Sequence, residues 1–129
     1  MSNYLLIWWF TVQFSWSLKR PPPETIIELG TLTTNLDSQD STGSFRAHGE
    51  CNPSTKRVII DTDHFNSINY YEKRVLVFHE LGHCELGFGH VYEDDIMLPR
   101  FYSVKPDGSN WEELLQKFKD RYDTNTFTY

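Results

Sequence analysis

The hydrophobic pattern of the chain changes from short, strand-like runs to longer, helix-like stripes. Residues 25–29 and 57–61 are short runs rich in β-branched side chains, which is typical of strands. Residues 45–49 alternate more weakly, and the turn-forming sequence Asn-Pro-Ser at 52–54 separates them from the run at 57–61. These two segments therefore predict an antiparallel hairpin.

A helix is predicted in the middle of the chain. Its apolar residues recur every three positions, at Val75, Phe78 and Leu81. Asn69 with Glu72 three residues later has the pattern of a capping box and predicts where the helix begins. Gly87 and Gly89 predict where it ends, because glycine readily adopts the left-handed conformation that terminates helices.

A second capping box, Ser109 with Glu112, predicts a last helix over residues 111–122. Strands followed by helices indicate an α+β fold. We expect a small mixed or antiparallel sheet packed on the central helix, with the C-terminal helix completing the core.

The first 20 residues differ in composition from the rest of the chain. Residues 4–18 are uncharged and rich in aromatic side chains, and a run of three prolines at 21–23 follows them. The stretch is shorter than the roughly 20 apolar residues of a membrane span. It fits either a secretory leader or an N-terminal apolar element packed on the core. We expect a folded domain at 21–129, secreted or periplasmic if residues 1–20 are a leader and cytoplasmic if they belong to the fold.

Composition limits the functional classes. A chain of 129 residues is one domain at most, and its formal net charge of -6 argues against nucleic acid as a partner. The longest basic clusters are pairs, such as Lys19-Arg20 and Lys73-Arg74. We expect a monomeric globular domain with no nucleic-acid partner and no stable membrane span.

Candidate chemistry is concentrated in residues 79–90, which read His-Glu-Leu-Gly-His-Cys-Glu-Leu-Gly-Phe-Gly-His. His79 and His83 are four residues apart, so a helix presents both imidazoles on one face. His90 follows the glycines and supplies a third nitrogen. Three histidines with a carboxylate nearby, Glu80, match a catalytic zinc site, in which the fourth coordination position is left for water.

This pattern predicts the hydrolysis of peptide bonds. Zinc lowers the pKa of a bound water to about 7 and polarises the substrate carbonyl. Glu80 would take a proton from that water and pass it to the leaving amine. The sequence therefore predicts a peptidase that acts on a peptide or protein substrate, with one zinc ion held by His79, His83 and His90 and with Glu80 as the general base.

The same stretch resembles the metzincin clan of zinc endopeptidases, which carry His-Glu-x-x-His-x-x-Gly-x-x-His followed by a methionine-containing turn, the Met-turn. Residues 95–97, Asp-Ile-Met, resemble that turn. The resemblance covers residues 79–97 and implies that Met97 forms a hydrophobic base beneath the zinc ion. One extra residue separates His83 from His90 here, a spacing similar to that of small bacterial proteins classed as metallopeptidases. An edge strand of the predicted hairpin would bind an extended peptide.

Two alternatives stay open. Thermolysin-like enzymes take their third ligand from a glutamate on a distant helix, a role that Glu112 or Glu113 would have here. A non-catalytic zinc-binding or interaction domain would keep the metal only for stability, although such a site has no need for a carboxylate at position 80. Three other acidic residues near the motif are expected to be solvated: Glu85, Asp94 and Asp95.

The two cysteines leave three states open. In an oxidising compartment Cys51 and Cys84 would pair, closing a loop of some thirty residues and stabilising the fold by about 3–4 kcal/mol. In a reducing cytosol both would be free thiols. In the third state, Cys51 contacts the metal as a thiolate.

Overall fold

The computed structural model describes residues 2–31, 49–98 and 107–125, and these ranges contain three strands and four helices. The strands are β1 (Ile26–Gly30), β2 (Gly49–Asn52) and β3 (Arg57–Asp61). The helices are α1 (Asn3–Leu18), α2 (Thr62–Ser67), α3 (Tyr70–Cys84) and α4 (Trp111–Asn125). This combination of a small sheet with packed helices confirms the predicted α+β class.

The sheet is mixed, with the strand order β1-β3-β2. The central strand, β3, pairs in parallel with β1 and antiparallel with β2, so that Val58 lies opposite both Ile27 and Cys51. Val58 and Ile60 are fully buried, because alternate residues of a strand point to the same face. One face of the central strand therefore packs into the core.

The predicted hairpin is confirmed, with β2 and β3 as its strands. β2 includes Asn52, which we expected in the turn. The side chain of Asn52 accepts hydrogen bonds from the N–H and the hydroxyl of Ser54, so the turn starts after the strand. Residues 45–48 of the predicted first strand lie outside the described residues.

An aromatic face of α1 lies in the core. Phe10 and Phe14 are fully buried, and the ring of Phe14 lies 5.6 Å from that of Phe78 and 6.1 Å from that of Phe118. The segment is thus a helix packed on the core, one of the two forms that its composition predicted. Cleavage of a leader stays a prediction. None of the helices in the described ranges is long and apolar enough to cross a bilayer.

The predicted capping box begins α3. The Asn69 side chain accepts a hydrogen bond from the N–H of Glu72 at 2.9 Å, and the Glu72 carboxylate accepts one from the N–H of Asn69 at 3.2 Å. Further along the helix, Phe78 and Leu81 are fully buried. Because α3 is both capped and packed, the directions of its side chains are fixed.

The predicted capping box of α4 is wrong. Ser109 donates its N–H and its hydroxyl to the carboxylate of Asp107, at 2.8 and 2.6 Å. The first hydrogen bond of the helix runs from the N–H of Leu114 to the carbonyl of Asn110. The prediction failed because an aspartate two residues earlier binds the serine in a turn of its own.

A disulfide joins Cys51 on β2 to Cys84, the last residue of α3. The two cysteines are 33 residues apart in sequence, so the bond contributes about 3–4 kcal/mol by restricting the unfolded chain. The sequence left three states of the cysteines open, and the structure shows the paired state. The bond ties the strand β2 to the end of the helix that carries the histidine motif.

Candidate metal centre

Three histidines converge near the C-terminal end of α3, and they are the predicted trio. His79 and His83 lie one helical turn apart, with their Nε2 atoms 3.1 Å from each other. His90 brings its Nε2 atom to 3.1 Å from that of His83. The three candidate ligand atoms all lie within 4.8 Å of one another. Tetrahedral ligands about 2.0–2.1 Å from zinc would lie roughly 3.3 Å apart, which is close to the two separations of 3.1 Å, so the trio could hold such an ion.

Backbone carbonyls fix the orientation of two of these rings. Nδ1 of His79 lies 2.7 Å from the carbonyl oxygen of Ile96, and Nδ1 of His83 lies 2.7 Å from that of Phe88. Because a carbonyl oxygen only accepts, each Nδ1 donates its proton and each Nε2 keeps its lone pair for a metal.

Burial lowers the pKa of two of the three histidines, His79 and His90. It lowers the pKa of His79 to about 4, although the hydrogen bond to Ile96 opposes this effect. Burial, and after it the neighbouring His83, also lower the pKa of His90. Both imidazoles are therefore neutral at pH 7, which is the form that binds metal ions.

The chain turns from α3 towards the third histidine at a glycine in the left-handed conformation. Gly87 has a φ of 72°, and its N–H bonds to the carbonyl of His83 at 3.2 Å. The next N–H, that of Phe88, bonds to the carbonyl of Gly82 at 2.8 Å. The first bond, which spans four residues, is that of the αL motif, which ends helices at a glycine, and the second bond spans six residues. Gly89, which we also expected to end the helix, does not have a positive φ.

The extra residue of the motif is accommodated in the last turn of the helix. The carbonyl of Leu81 accepts the N–H of Glu85 at 2.8 Å and also that of Leu86 at 3.3 Å. The second bond spans five residues rather than four, which widens the turn. His90 therefore reaches the other histidines although the spacing is one residue longer than in the metzincin motif.

Glu80 is enclosed between α3 and the strand β2. The residue is only 4% exposed, and a Cβ atom on Gly49 would lie 2.7 Å from its Oε2 atom. A glycine at that position of β2 thus leaves room for the carboxylate. Burial, and after it the charge of Glu50, raise the pKa of Glu80 to about 8. A dication held by the neighbouring histidines would favour the carboxylate and lower this pKa.

Residues 42–128 match the model of a family described as "Putative phage metallopeptidase". The chain belongs to this family. The matched range contains the hairpin, α3, α4 and the three histidines, whereas α1 and β1 precede it. No curated protein and no solved structure matches the chain significantly. Membership confirms, at the level of the family, the resemblance to metallopeptidases that the histidine motif indicated.

In this member of the phage metallopeptidase family, two carboxylates that we expected to be solvated are buried. The Asp95 side chain is 1% exposed and pairs with Arg121 of α4 through two hydrogen bonds of 2.9 and 2.5 Å. The Glu85 side chain is 4% exposed and accepts hydrogen bonds from Arg20 and Thr25. The expectation was wrong because each acid meets partners from a distant part of the sequence.

Met97 lies directly against the helix that carries the motif. It is fully buried, and a Cβ atom on Gly82 would lie 2.6 Å from its Sδ atom. Gly82 stands between the two histidines of α3 in sequence. The turn at residues 95–97 therefore packs on the same helical turn that presents the ligand candidates.

The acidic residues of the thermolysin-like alternative do not join the histidines. Glu112 and Glu113 are both exposed in the first turn of α4. Within the described ranges, the residues grouped closely enough to hold a metal are the three histidines alone. His79 is buried whereas His90 is exposed, so the trio is accessible from one side. An accessible trio can admit a substrate.

Proposed function

We propose that this metallopeptidase-family protein is a zinc-dependent endopeptidase. His79, His83 and His90 hold one zinc ion, and Glu80 is the general base. The observation that carries the proposal is the buried carboxylate of Glu80, the residue that follows His79 in α3, together with three convergent imidazoles. A purely structural zinc site has no use for such a carboxylate, because it closes its fourth position with a protein ligand.

Glu80 handles the proton in this mechanism. Zinc, when bound, supplies Lewis-acid chemistry that polarises the scissile carbonyl and makes water acidic near neutral pH. Glu80 accepts a proton from the attacking water and delivers it to the leaving nitrogen. Its buried position supports this role, since a base whose pKa lies closer to neutrality both takes and releases a proton readily.

The substrate is an extended peptide that binds along β2. Within the described sheet β2 is an edge strand, because β3 lies on one side of it. Gly49, the first residue of β2, faces the Glu80 carboxylate, because a Cβ atom built on it would lie 2.7 Å from Oε2. A peptide that added to this edge as a further strand would therefore bring its backbone close to the general base.

The packing of Met97 supports a metzincin-like architecture. The methionine lies against Gly82, which belongs to the same turn of α3 as His83. The third histidine follows a glycine bend, as in the metzincin motif, and the widened last turn of α3 absorbs the extra residue. We infer a metzincin-like site with a lengthened ligand motif.

The test compares the zinc-loaded wild type with Glu80→Gln on a peptide library. Loss of the base should lower kcat/KM at least about 100-fold. Zinc content and the free energy of unfolding should stay near those of the wild type, because glutamine has almost the same shape as glutamate. Full activity of Glu80→Gln would overturn the mechanism.

Glu113→Gln is the matched control, because it makes the same chemical change at an exposed residue of α4. It should retain both zinc and activity. Loss of zinc in Glu112→Gln or Glu113→Gln, with none in His90→Ala, would favour the thermolysin-like ligand set. Zinc binding by a wild type that cleaves no library peptide would favour the non-catalytic domain.

We also propose that the protein works in an oxidising compartment, secreted or periplasmic, although α1 packs on the core, the case in which the sequence favoured a cytoplasmic protein. The disulfide between Cys51 and Cys84 supports this, because such bonds are rare in the reducing cytosol. Thiol titration of the unreduced protein should find no free thiol before or after denaturation. Two thiols that appear on denaturation would contradict the proposal.

A further inference from the structure

We propose that the ion pair between Arg121 and Asp95 positions His79 for metal binding. Arg121 is thus a positioning residue, which acts on the site through the turn at residues 95–97. The inference rests on the proposed function, because His79 is a ligand only if the trio binds a metal ion.

The ion pair of Arg121 and Asp95 has a fixed geometry, because two hydrogen bonds join the side chains. Arg121 donates from Nη1 to Oδ1 of Asp95 at 2.9 Å and from Nη2 to Oδ2 at 2.5 Å. Two parallel bonds hold a carboxylate in one orientation, which a single bond does not. The Asp95 side chain is 1% exposed, so little water competes for it.

The fixed carboxylate in turn holds the backbone of the turn. Oδ1 of Asp95 also accepts the N–H of Met97 at 2.9 Å, and the Asp95 carbonyl accepts the N–H of Leu98 at 3.1 Å. The carbonyl between them, that of Ile96, accepts the Nδ1 proton of His79 at 2.7 Å. A continuous series of contacts therefore runs from α4 to the imidazole.

The hydrogen bond between His79 and the Ile96 carbonyl sets the tautomer and the ring orientation of His79. A ligand histidine depends on the partner of its second nitrogen for its tautomer and its ring orientation. With the Nδ1 proton on the Ile96 carbonyl, Nε2 of His79 keeps its lone pair and lies 3.1 Å from Nε2 of His83. If the turn shifted, the ring would lose both its orientation and its preferred tautomer.

A second ion pair provides a matched comparison. Arg20 and Glu85 have side-chain exposures of 22% and 4%, against 21% and 1% for Arg121 and Asp95. The Glu85 carboxylate also accepts hydrogen bonds from the N–H and the hydroxyl of Thr25. This pair fastens the chain before β1 to the end of α3, and the described contacts do not connect it to the ring of a histidine.

The experiment measures zinc affinity by competition with a chromophoric chelator. Arg121→Met should weaken zinc binding about 10–100-fold, as expected when the outer partner of a ligand is lost. Arg121→Lys, which keeps the charge but not the two parallel bonds, should recover part of this loss. Arg20→Met should destabilise the fold without a comparable loss of affinity. The visible spectrum of bound Co²⁺ should change in Arg121→Met and stay unchanged in Arg20→Met.

A double-mutant cycle tests whether Arg121 acts through His79. In the His79→Ala background, Arg121→Met should cause little further loss of zinc affinity, because the residue through which it acts is gone. An equal loss in both backgrounds, or wild-type affinity in Arg121→Met, would overturn the inference. If Arg121→Met does not fold, Asp95→Asn takes its place, since it keeps an oxygen for the N–H of Met97 but loses the charge.

Zinc affinity separates this inference from the proposed function. A wild type that binds zinc tightly but hydrolyses no peptide would overturn the proposed function and leave the positioning role intact. A wild type that binds no zinc would overturn both. Normal hydrolysis together with unchanged zinc affinity in Arg121→Met would overturn the positioning role alone.

Discussion

The two halves of the metal site are held in place by different kinds of contact. His79, Glu80 and His83 belong to one helix, whose capping box and backbone hydrogen bonds fix their directions. His90 belongs to the irregular segment 85–98, which has no regular hydrogen-bond pattern of its own. Its position depends on residues that are distant in sequence.

The irregular segment is anchored by contacts from two helices. From α4, Lys117 donates to the carbonyl of Asp94 at 2.8 Å, and Arg121 pairs with Asp95. From α3, Gly82 leaves the space in which Met97 packs. A helix can thus present ligands by its own geometry, whereas a ligand in a loop needs anchors elsewhere in the fold. Damage to one half should therefore be separable from damage to the other, except at His79, whose ring also bonds to the Ile96 carbonyl of the irregular segment.

We expect the largest effect when one histidine ligand is removed from either half of the site. His83→Ala and His90→Ala should each weaken zinc binding at least about 100-fold, because the roughly 10–16 kcal/mol with which structural sites of four protein ligands bind zinc amounts to several kcal/mol per ligand. His83→Ala should cost more, since the Nε2 of His83 lies 3.1 Å from both other Nε2 atoms and its ring is fixed by the Phe88 carbonyl. Chelator competition at pH 7 measures both losses.

His64→Ala is the control for these two variants. His64 is a half-buried histidine of α2 and lies outside the metal-capable group of the described residues. Its removal should leave zinc affinity close to that of the wild type. Wild-type affinity in His90→Ala would show that the irregular segment supplies no ligand, and the comparison between the two halves would fail.

The next substitution disturbs the packing of Met97 against Gly82, which joins the two halves. A Cβ atom on Gly82 would lie 2.6 Å from Sδ of Met97 and 3.3 Å from Phe118. Gly82→Ala should therefore lower the free energy of unfolding by about 1–2 kcal/mol, since overpacking costs about 1–3 kcal/mol and alanine regains up to about 1 kcal/mol in a helix. Urea unfolding of the metal-free protein measures the change. Met97→Ala in the same chain should relieve the clash, so a strictly additive double variant would contradict this explanation.

The helical half of the site could be predicted from the sequence because its signals are local. The capping box at Asn69 and the four-residue spacing of His79 and His83 each lie within a few residues of the structure that they specify. Gly87 marked the end of the helix for the same reason, because only a residue that tolerates a positive φ fits there.

In the other half, His90 was predicted from its spacing, but the anchors of its segment could not be predicted, because they come from far along the chain. Arg121 is 26 residues from Asp95, and no local pattern distinguishes it from the other basic residues of α4. The same reason explains why Asp95 and Glu85 were expected to be solvated. The parallel pairing of β1 with β3 also had no local signal, although the composition of each strand predicted the strand itself.

A further substitution displaces the general base without removing a ligand. Gly49→Ala would place a Cβ atom 2.7 Å from Oε2 of Glu80, so the carboxylate has to move. We expect kcat to fall about 10–100-fold, since a shift of about 1 Å in a catalytic group can cost this much. Zinc affinity should stay unchanged. Gly30→Ala is the control, because its Cβ atom would make an ordinary contact of 3.4 Å with Ile59. Equal rates for the two variants would contradict the positioning of Glu80 by β2.

We expect the smallest effect when the N-terminal cap of α3 is removed. Asn69→Ala removes the cap of α3 and should lower the free energy of unfolding by about 1 kcal/mol in urea. Asn66→Ala, which removes an exposed hydrogen bond to Asn3, should change it by less than about 0.5 kcal/mol. Fraying at the start of a helix affects its first turn, and His79 lies more than two turns further on. Zinc affinity should therefore stay near that of the wild type. If Asn69→Ala weakened zinc binding as much as His90→Ala, the helix would not hold its ligands independently of its cap.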